Sequence, residues 1–188
     1  MINNLDDLME KVKSRPKKKI AVAAAEDLDI IEVVEEAINS GLADFILIGN
    51  EEEITKIAAE NNKNLPCEII DEPNHKLAAE KAVELVKEGK AGALMKGLLH
   101  TGTFLKAVLN KEKGLNTGKL VSQISVFDKE FGTGLQLLTD CAMSIQPNLD
   151  EKKQIIQNAI ALAMKIGYEK PKVAILSALE VVNPAIPD

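Results

Sequence analysis

The sequence has no tryptophan, one tyrosine and four phenylalanines, so aromatic residues make up only 3% of it. A chain this poor in rings has little with which to stack bases or sugars. Arginine is almost missing: Arg15 stands alone, which leaves no bidentate guanidinium clamp for a phosphate. Two cysteines, Cys67 and Cys141, have no CxxC spacing and no histidine companions, which excludes a structural zinc site. Both lie in apolar, strand-like runs, the setting of buried free thiols in a reducing compartment such as the cytoplasm. The only histidines are His75 and His100, too few for a His-rich metal site and poor support for a Ser-His-Asp triad. No apolar run approaches the roughly 20 residues that span a bilayer. The first residues, MINNLDDLMEKVKS, form a polar amphipathic pattern unlike a signal peptide. A formal charge of −6 argues against a chain that coats nucleic acid.

What is present is a core-forming chain of 188 residues, 46% of them hydrophobic, enough for one large domain or two small ones. After the N-terminal helix and the basic loop around Arg15 to Lys19, short apolar runs alternate with helical patterns. Ile20–Ala25, Ala43–Ile48, Cys67–Ile70 and Ala91–Met95 read as strands, the longest apolar runs as strands buried on both faces. Between them, Asp27–Asn39, Glu51–Asn61 and His75–Glu88 carry apolar residues at helical spacing, with Gly41 fitting a C-terminal cap. The fold class that follows is α/β: three layers, a mostly parallel sheet with helices on both faces. The rhythm then changes. Thr103–Leu109 reads as a short helix and Lys111–Lys119 as a charged loop. Leu120–Phe127 and Gln136–Cys141 read as strands of an antiparallel hairpin, joined by Asp128–Gly134. A long helix opens near Pro147 with Asp150 as its N-cap and ends at Gly167, and Lys172–Ser177 reads as another buried strand. The change near Gln146–Asp150 divides a first lobe, 1–146, from the start of a second α/β lobe, 147–188.

The first βα turn, Ala25-Glu26-Asp27-Leu28, has no glycine and so lacks a dinucleotide fingerprint, and GxxxxGK[ST] and GxSxG are also missing. The stretch Met95-Lys96-Gly97-Leu98-Leu99-His100-Thr101-Gly102-Thr103 begins where a buried strand ends, on the carboxyl edge where α/β sheets hold ligands. There Lys96 offers an ammonium, Gly97 and Gly102 allow main-chain N–H groups near an anion, and Thr101 and Thr103 add hydroxyls ahead of a helix N-terminus. The same residues also make an ordinary glycine-rich turn with an N-cap threonine. Asp140, at the end of the second hairpin strand, either meets a donor on a substrate or caps a turn. Ser122 and Gln123 offer a hydroxyl and an amide. Glu180 and Asn183, following the last strand, read as loop residues.

Taken together, MKGLLHTGTFLKAVLNKEKGL and LLTDCAMSIQPNLDEKKQIIQNAIALAMKIGYEKPKVAILSALEVVNPAIPD resemble the phosphate acetyl/butyryltransferase family, closest to its phosphate butyryltransferase branch. The resemblance implies a two-lobed α/β protein, commonly dimeric, that moves an acyl group reversibly between phosphate and coenzyme A. Its partners would be coenzyme A, acyl-CoA, phosphate and acyl phosphate, with no permanently bound cofactor and no metal. It implies that Lys96, Gly97 and Thr101 line the cleft. Asp140 falls on the family's TDxA aspartate, Glu180 and Asn183 on its ExVNP segment, and Ser122 on the serine of a Ser-His pair whose histidine is Gln123 here. Family members run longer and carry a Ser-Arg-x-Asp motif that this sequence lacks. The expectation is of a chain cut short of the family's length, with its catalytic residues unassigned and little or no acyltransferase activity by itself. The alternatives are a phosphate acetyltransferase, or a non-catalytic anion- or CoA-binding remnant or partner subunit.

Overall fold

A computed structural model describes residues 2–177 and 179–181. They cluster into two compact units, one of residues 12–117 and the other of residues 2–11 with 118–177 and 179–181. Helix α1 (Leu5–Lys13) leads into β1 (Lys18–Ala23), α2 (Leu28–Asn39), β2 (Ala43–Gly49) and α3 (Glu51–Glu60). These are followed by β3 (Glu68–Asp71), α4 (His75–Lys87), β4 (Ala93–Lys96) and α5 (Thr101–Val108). The four strands form one wholly parallel sheet in the order β3-β2-β1-β4.

Strand periodicity sorts the core into two faces. Ala21, Ala23, Ile46 and Ile48 pack with Ala78, Ala82 and Val83 of α4. Val22, Phe45 and Leu47 pack with Ile31 and Val34 of α2 and Ile54 of α3. Helices therefore cover both faces, as the uninterrupted apolar runs require. Each large side chain fully removed from water here contributes roughly 1.5–3 kcal/mol. The helices α2, α3 and α4 that cover these faces begin on side-chain caps: Asp27 accepts from Ile30 N, Asn50 from Glu53 N, and Asn74 from Lys76 N and Leu77 N. Gly41, at φ 76°, turns the chain out of α2.

The connection order places the ligand edge. The chain steps outward from β1 to β2 and β3, then crosses back to lay β4 on the free side of β1. Loops leaving β1 and β4 thus depart in opposite senses from neighbouring strands, the topological switch point of an open α/β sheet.

The second unit holds an antiparallel hairpin, β5 (Ile124–Asp128) and β6 (Leu135–Thr139), and the long helix α6 (Leu149–Ile166) packed on β6. Its hairpin starts later than the alternation suggests. Leu120–Gln123 is not strand, because the Leu120 amide donates to Gln154 Oε1 and its carbonyl accepts from Asn158 Nδ2, both on α6. The α6 N-cap is Asn148, not Asp150: Asn148 Oδ1 accepts from the amides of Asp150 and Glu151, and Glu151 accepts back from Asn148 N. Gly167, at φ 116°, ends the helix. The expected boundary at 146/147 falls inside this unit, between β6 and α6. The two are tied by packing and by Tyr168, whose hydroxyl donates to Leu135 O and accepts from Leu135 N.

Two expectations are corrected here. Lys172–Ser177 is not a buried strand: it joins no ladder among the described residues, and Ile175 and Leu176 are 77% and 81% exposed. Its apolar pattern is that of a sandwiched strand, but a strand is buried only when neighbours flank it. The cysteines also differ. Both are free, yet only Cys67 is partly buried, and Cys141 is exposed. Burial pushes the Cys67 thiol up to about 11, so at pH 8 only about one Cys67 in a thousand is thiolate. A disulfide-exchange reagent at pH 8 is expected to titrate Cys141 quickly and Cys67 in a slow second phase. Equal rates would contradict the burial of Cys67.

Candidate functional site

The carboxyl ends of β1 and β4 are stitched together by main chain. Gly97 N donates to Ala23 O at 2.8 Å and Leu98 N to Ala24 O at 2.7 Å. A Cβ at Gly97 would clash with Ala24 O and lie 2.8 Å from Ala23 O. Gly97 is thus demanded by close approach to β1, and its N–H is not available to an anion. Ala24 takes a left-handed φ of 56° at this seam, a conformation costly for a residue with a Cβ. The Lys96 ammonium donates to Gly97 O and Leu99 O, both at 3.1 Å, and so braces the loop that follows β4. Helix α5 starts at Thr101, two residues earlier than its pattern suggested, with His100 as an N-cap that makes no side-chain cap bond. The amides of Thr101 and Gly102 have no partner among the described residues. Nothing lies within 4 Å of a Cβ placed on Gly102, so space is open there. Free N–H groups at the positive end of a helix are the kind of feature that suits an anion.

A second feature of the same edge went unnoticed in the sequence. Glu26, just past β1, is 5% exposed. Its Oε1 lies 2.8 Å from His75 Nε2 at the first residue of α4, and its Oε2 is buried with no hydrogen-bond partner among the described residues. The carboxylate lies over Gly49, where any Cβ would collide with Oε2. The available signal was a carboxylate directly after an apolar run, in a βα turn where a nucleotide-binding sheet would carry glycine.

In the second unit Asp140 is bound by backbone. Its Oδ1 accepts from Gln123 N and Met143 N, both at 3.2 Å, while Oδ2 is buried and unpartnered among the described residues. Burial pushes its carboxyl up, but the Ser144 hydroxyl and the amides of Gln123, Met143 and Ser144 outweigh this and hold it below the usual aspartate value. Gln123 is the hub of this end of the hairpin. It donates from Nε2 to Ser125 Oγ, accepts at Oε1 from Cys141 N, and its carbonyl accepts from Thr139 Oγ1. Ser122 Oγ accepts from Asn158 Nδ2 at 3.0 Å. Among the described residues no three His, Cys, Asp or Glu are grouped to hold a metal ion, and no helix is long and apolar enough to cross a membrane.

Comparison with known proteins matches the family model "Phosphate acetyl/butaryl transferase" over residues 4–80 and 60–188. The chain belongs to this family. It is 48% identical over 188 residues to the phosphate butyryltransferase of Clostridium acetobutylicum, covering all of this chain and 62% of that relative. It is 40% identical over 187 residues to the phosphate acetyltransferase of Thermotoga maritima, covering 97% of this chain and 62% of that one. The crystal structure of a branched-chain phosphotransacylase from Enterococcus faecalis V583 superposes with a TM-score of 0.72 at 28% identity, over 90% of this chain and 59% of that one. The chain therefore spans about three fifths of the length of the relatives it matches.

Within this phosphate acyltransferase framework, the structure groups Lys96, Gly97, Thr101, Gly102 and Thr103 in one loop and helix start of the 12–117 unit. Asp140 and the Ser122-Gln123 segment meet through the Gln123 amide in the other unit. Glu180 is exposed, and Asn183 lies outside the described residues. Of the two readings open for Asp140, turn capping is present in the Met143 N bond.

Proposed function

We propose that this chain is part of an acyltransferase that moves a short-chain acyl group between phosphate and coenzyme A: acyl-CoA and phosphate give acyl phosphate and free CoA. The observation that carries the reading is family membership over nearly the whole chain, together with an anion-facing helix start on the carboxyl edge of the sheet. Butyryl or a similar acyl group is favoured because the Clostridium butyryltransferases match at 48% and 44%, against 40% for the Thermotoga acetyltransferase. In this reading the free amides of Thr101 and Gly102 and the hydroxyls of Thr101 and Thr103 receive the phosphate, with the Lys96 charge nearby, and Gly97 shapes the loop. By the resemblance, Ser122, Asp140, Glu180 and Asn183 are further candidate substrate contacts. Coenzyme A is a substrate, not a resident cofactor, the working form is a dimer, and the two free thiols fit a cytoplasmic setting.

The chemistry needs donors for the developing oxyanion and a cation for the leaving phosphate. The described residues supply donors and lysine but no arginine clamp. We therefore expect the 188 residues alone to release little or no thiol from butyryl-CoA with phosphate. Fused to the segment that the C. acetobutylicum relative carries outside the matched region, they should show phosphate-dependent thiol release. A folded fusion without activity would overturn the proposed reaction. Full turnover by the short chain would overturn its incompleteness.

A further inference from the structure

We infer that Asn158 of α6 is a positioning residue for Ser122, holding the serine hydroxyl so that its proton is presented to a carbonyl oxygen of bound acyl-CoA. The inference rests on the proposed function and adds which atom of Ser122 serves the substrate and what aims it.

Two side chains one turn apart on α6 tie down the segment before β5. Gln154 Oε1 accepts from Leu120 N and Asn158 Nδ2 donates to Leu120 O, both at 3.0 Å. A carbonyl only accepts, so the Asn158 atom facing Leu120 is its nitrogen. The same nitrogen lies 3.0 Å from Ser122 Oγ, and an amide nitrogen only donates. Ser122 therefore spends a lone pair on α6 and keeps its own proton. That proton has no acceptor among the described residues, and Ser122 is only half-buried, within reach of a ligand. A donor already aimed in this way needs no reorientation when the ligand arrives.

The neighbouring charge selects the kind of oxygen. Asp140 Oδ1 accepts from the amide of Gln123, the residue after Ser122, and its carboxyl stays below the ordinary aspartate value, so it is anionic at neutral pH. A phosphate oxygen placed at Ser122 would be repelled by that carboxylate, whereas a neutral carbonyl oxygen would not. Acyl-CoA brings such oxygens in its thioester and in the amides of its pantetheine arm. A free hydroxyl spreads over three staggered positions, so holding it in one favours binding by up to about threefold.

NMR titration with butyryl-CoA and urea unfolding are compared for four forms of the 188-residue chain: native, Ser122→Ala, Asn158→Ala and the double variant. Ser122→Ala should weaken butyryl-CoA about fivefold, the worth of one neutral hydrogen bond. Asn158→Ala should weaken it about threefold when Ser122 is present and not at all when it is absent. Its urea midpoint should fall in both backgrounds, because the bond to Leu120 is lost in each. A merely structural Asn158 would lower affinity equally in both backgrounds. That result overturns the inference and leaves the proposed reaction standing, as does an affinity unchanged in every variant.

Coenzyme A in place of butyryl-CoA separates the two sources of the carbonyl. Dependence on Ser122 that persists assigns a pantetheine amide, and dependence that vanishes assigns the thioester. Inorganic phosphate should bind Ser122→Ala and the native chain alike, and weaker binding to the variant would contradict the carbonyl assignment. If butyryl-CoA moves no resonance of the native chain, the CoA reading of the whole chain falls together with this one. Should Asn158→Ala fail to fold, Asn158→Asp keeps the shape but cannot donate. The Ser122 proton would then turn to the new carboxylate, and affinity should drop to the Ser122→Ala level.

Discussion

Gly97→Ala is expected to destabilise the 12–117 unit by about 3 kcal/mol, near the top of the range for overpacking a close-packed site. The added methyl meets backbone, not a flexible side-chain end: Ala24 O in direct clash and Ala23 O at 2.8 Å. Relief requires breaking the Gly97–Ala23 and Leu98–Ala24 hydrogen bonds that join β4 to β1. The neighbouring substitution Gly102→Ala has the opposite sign. It lies in α5 with no heavy atom near the new Cβ, so better helix propensity should add about 0.5 kcal/mol. Urea unfolding of both variants reads the contrast directly. Equal midpoints would mean that the seam between the two strand ends is not as close as described.

Asp140→Ala should cost about 1–3 kcal/mol at pH 7, because the amides of Gln123 and Met143 lose a charged acceptor. The loss should depend on pH in a defined direction. Burial pushes the folded-state carboxyl up, but the Ser144 hydroxyl and surrounding amides prevail and leave it below its ordinary value of 3.8. A carboxylate depressed on folding contributes stability that is complete above the unfolded value and is lost as pH falls through the folded one. The gap between native chain and variant should therefore be widest near neutrality and close below about pH 4. A gap that stays constant into acid would show that the turn is held by shape and not by the charge.

The parallel sheet was legible because its strands announce themselves. Ile20–Ala25 and Ala43–Ile48 are apolar without interruption, and only strands covered on both faces read that way. The cap at Gly41 was equally local. What depends on distant partners was not legible. Leu120–Gln123 looks like strand, but its hydrogen bonds go to Gln154 and Asn158, some 35 residues along the chain. Lys172–Ser177 has a buried strand's composition and stands exposed, since no described strand flanks it. By sequence Gly97 is room for an anion; in the fold it is room for Ala24 O. Glu26 and His75 escaped notice because 49 residues separate them and neither belongs to a local motif. Asp140 was half legible: a carboxylate at a strand end needs partners, but that they would be Gln123 and Met143 amides required the hairpin to be closed.

In the proposed reaction phosphate, and not water, accepts the acyl group. The most direct measurement is phosphorus NMR of the fused chain incubated with butyryl-CoA and inorganic phosphate. An acyl-phosphate resonance should grow with free CoA and never appear without phosphate. Free CoA and butyrate with no acyl phosphate would identify a thioester hydrolase and contradict it.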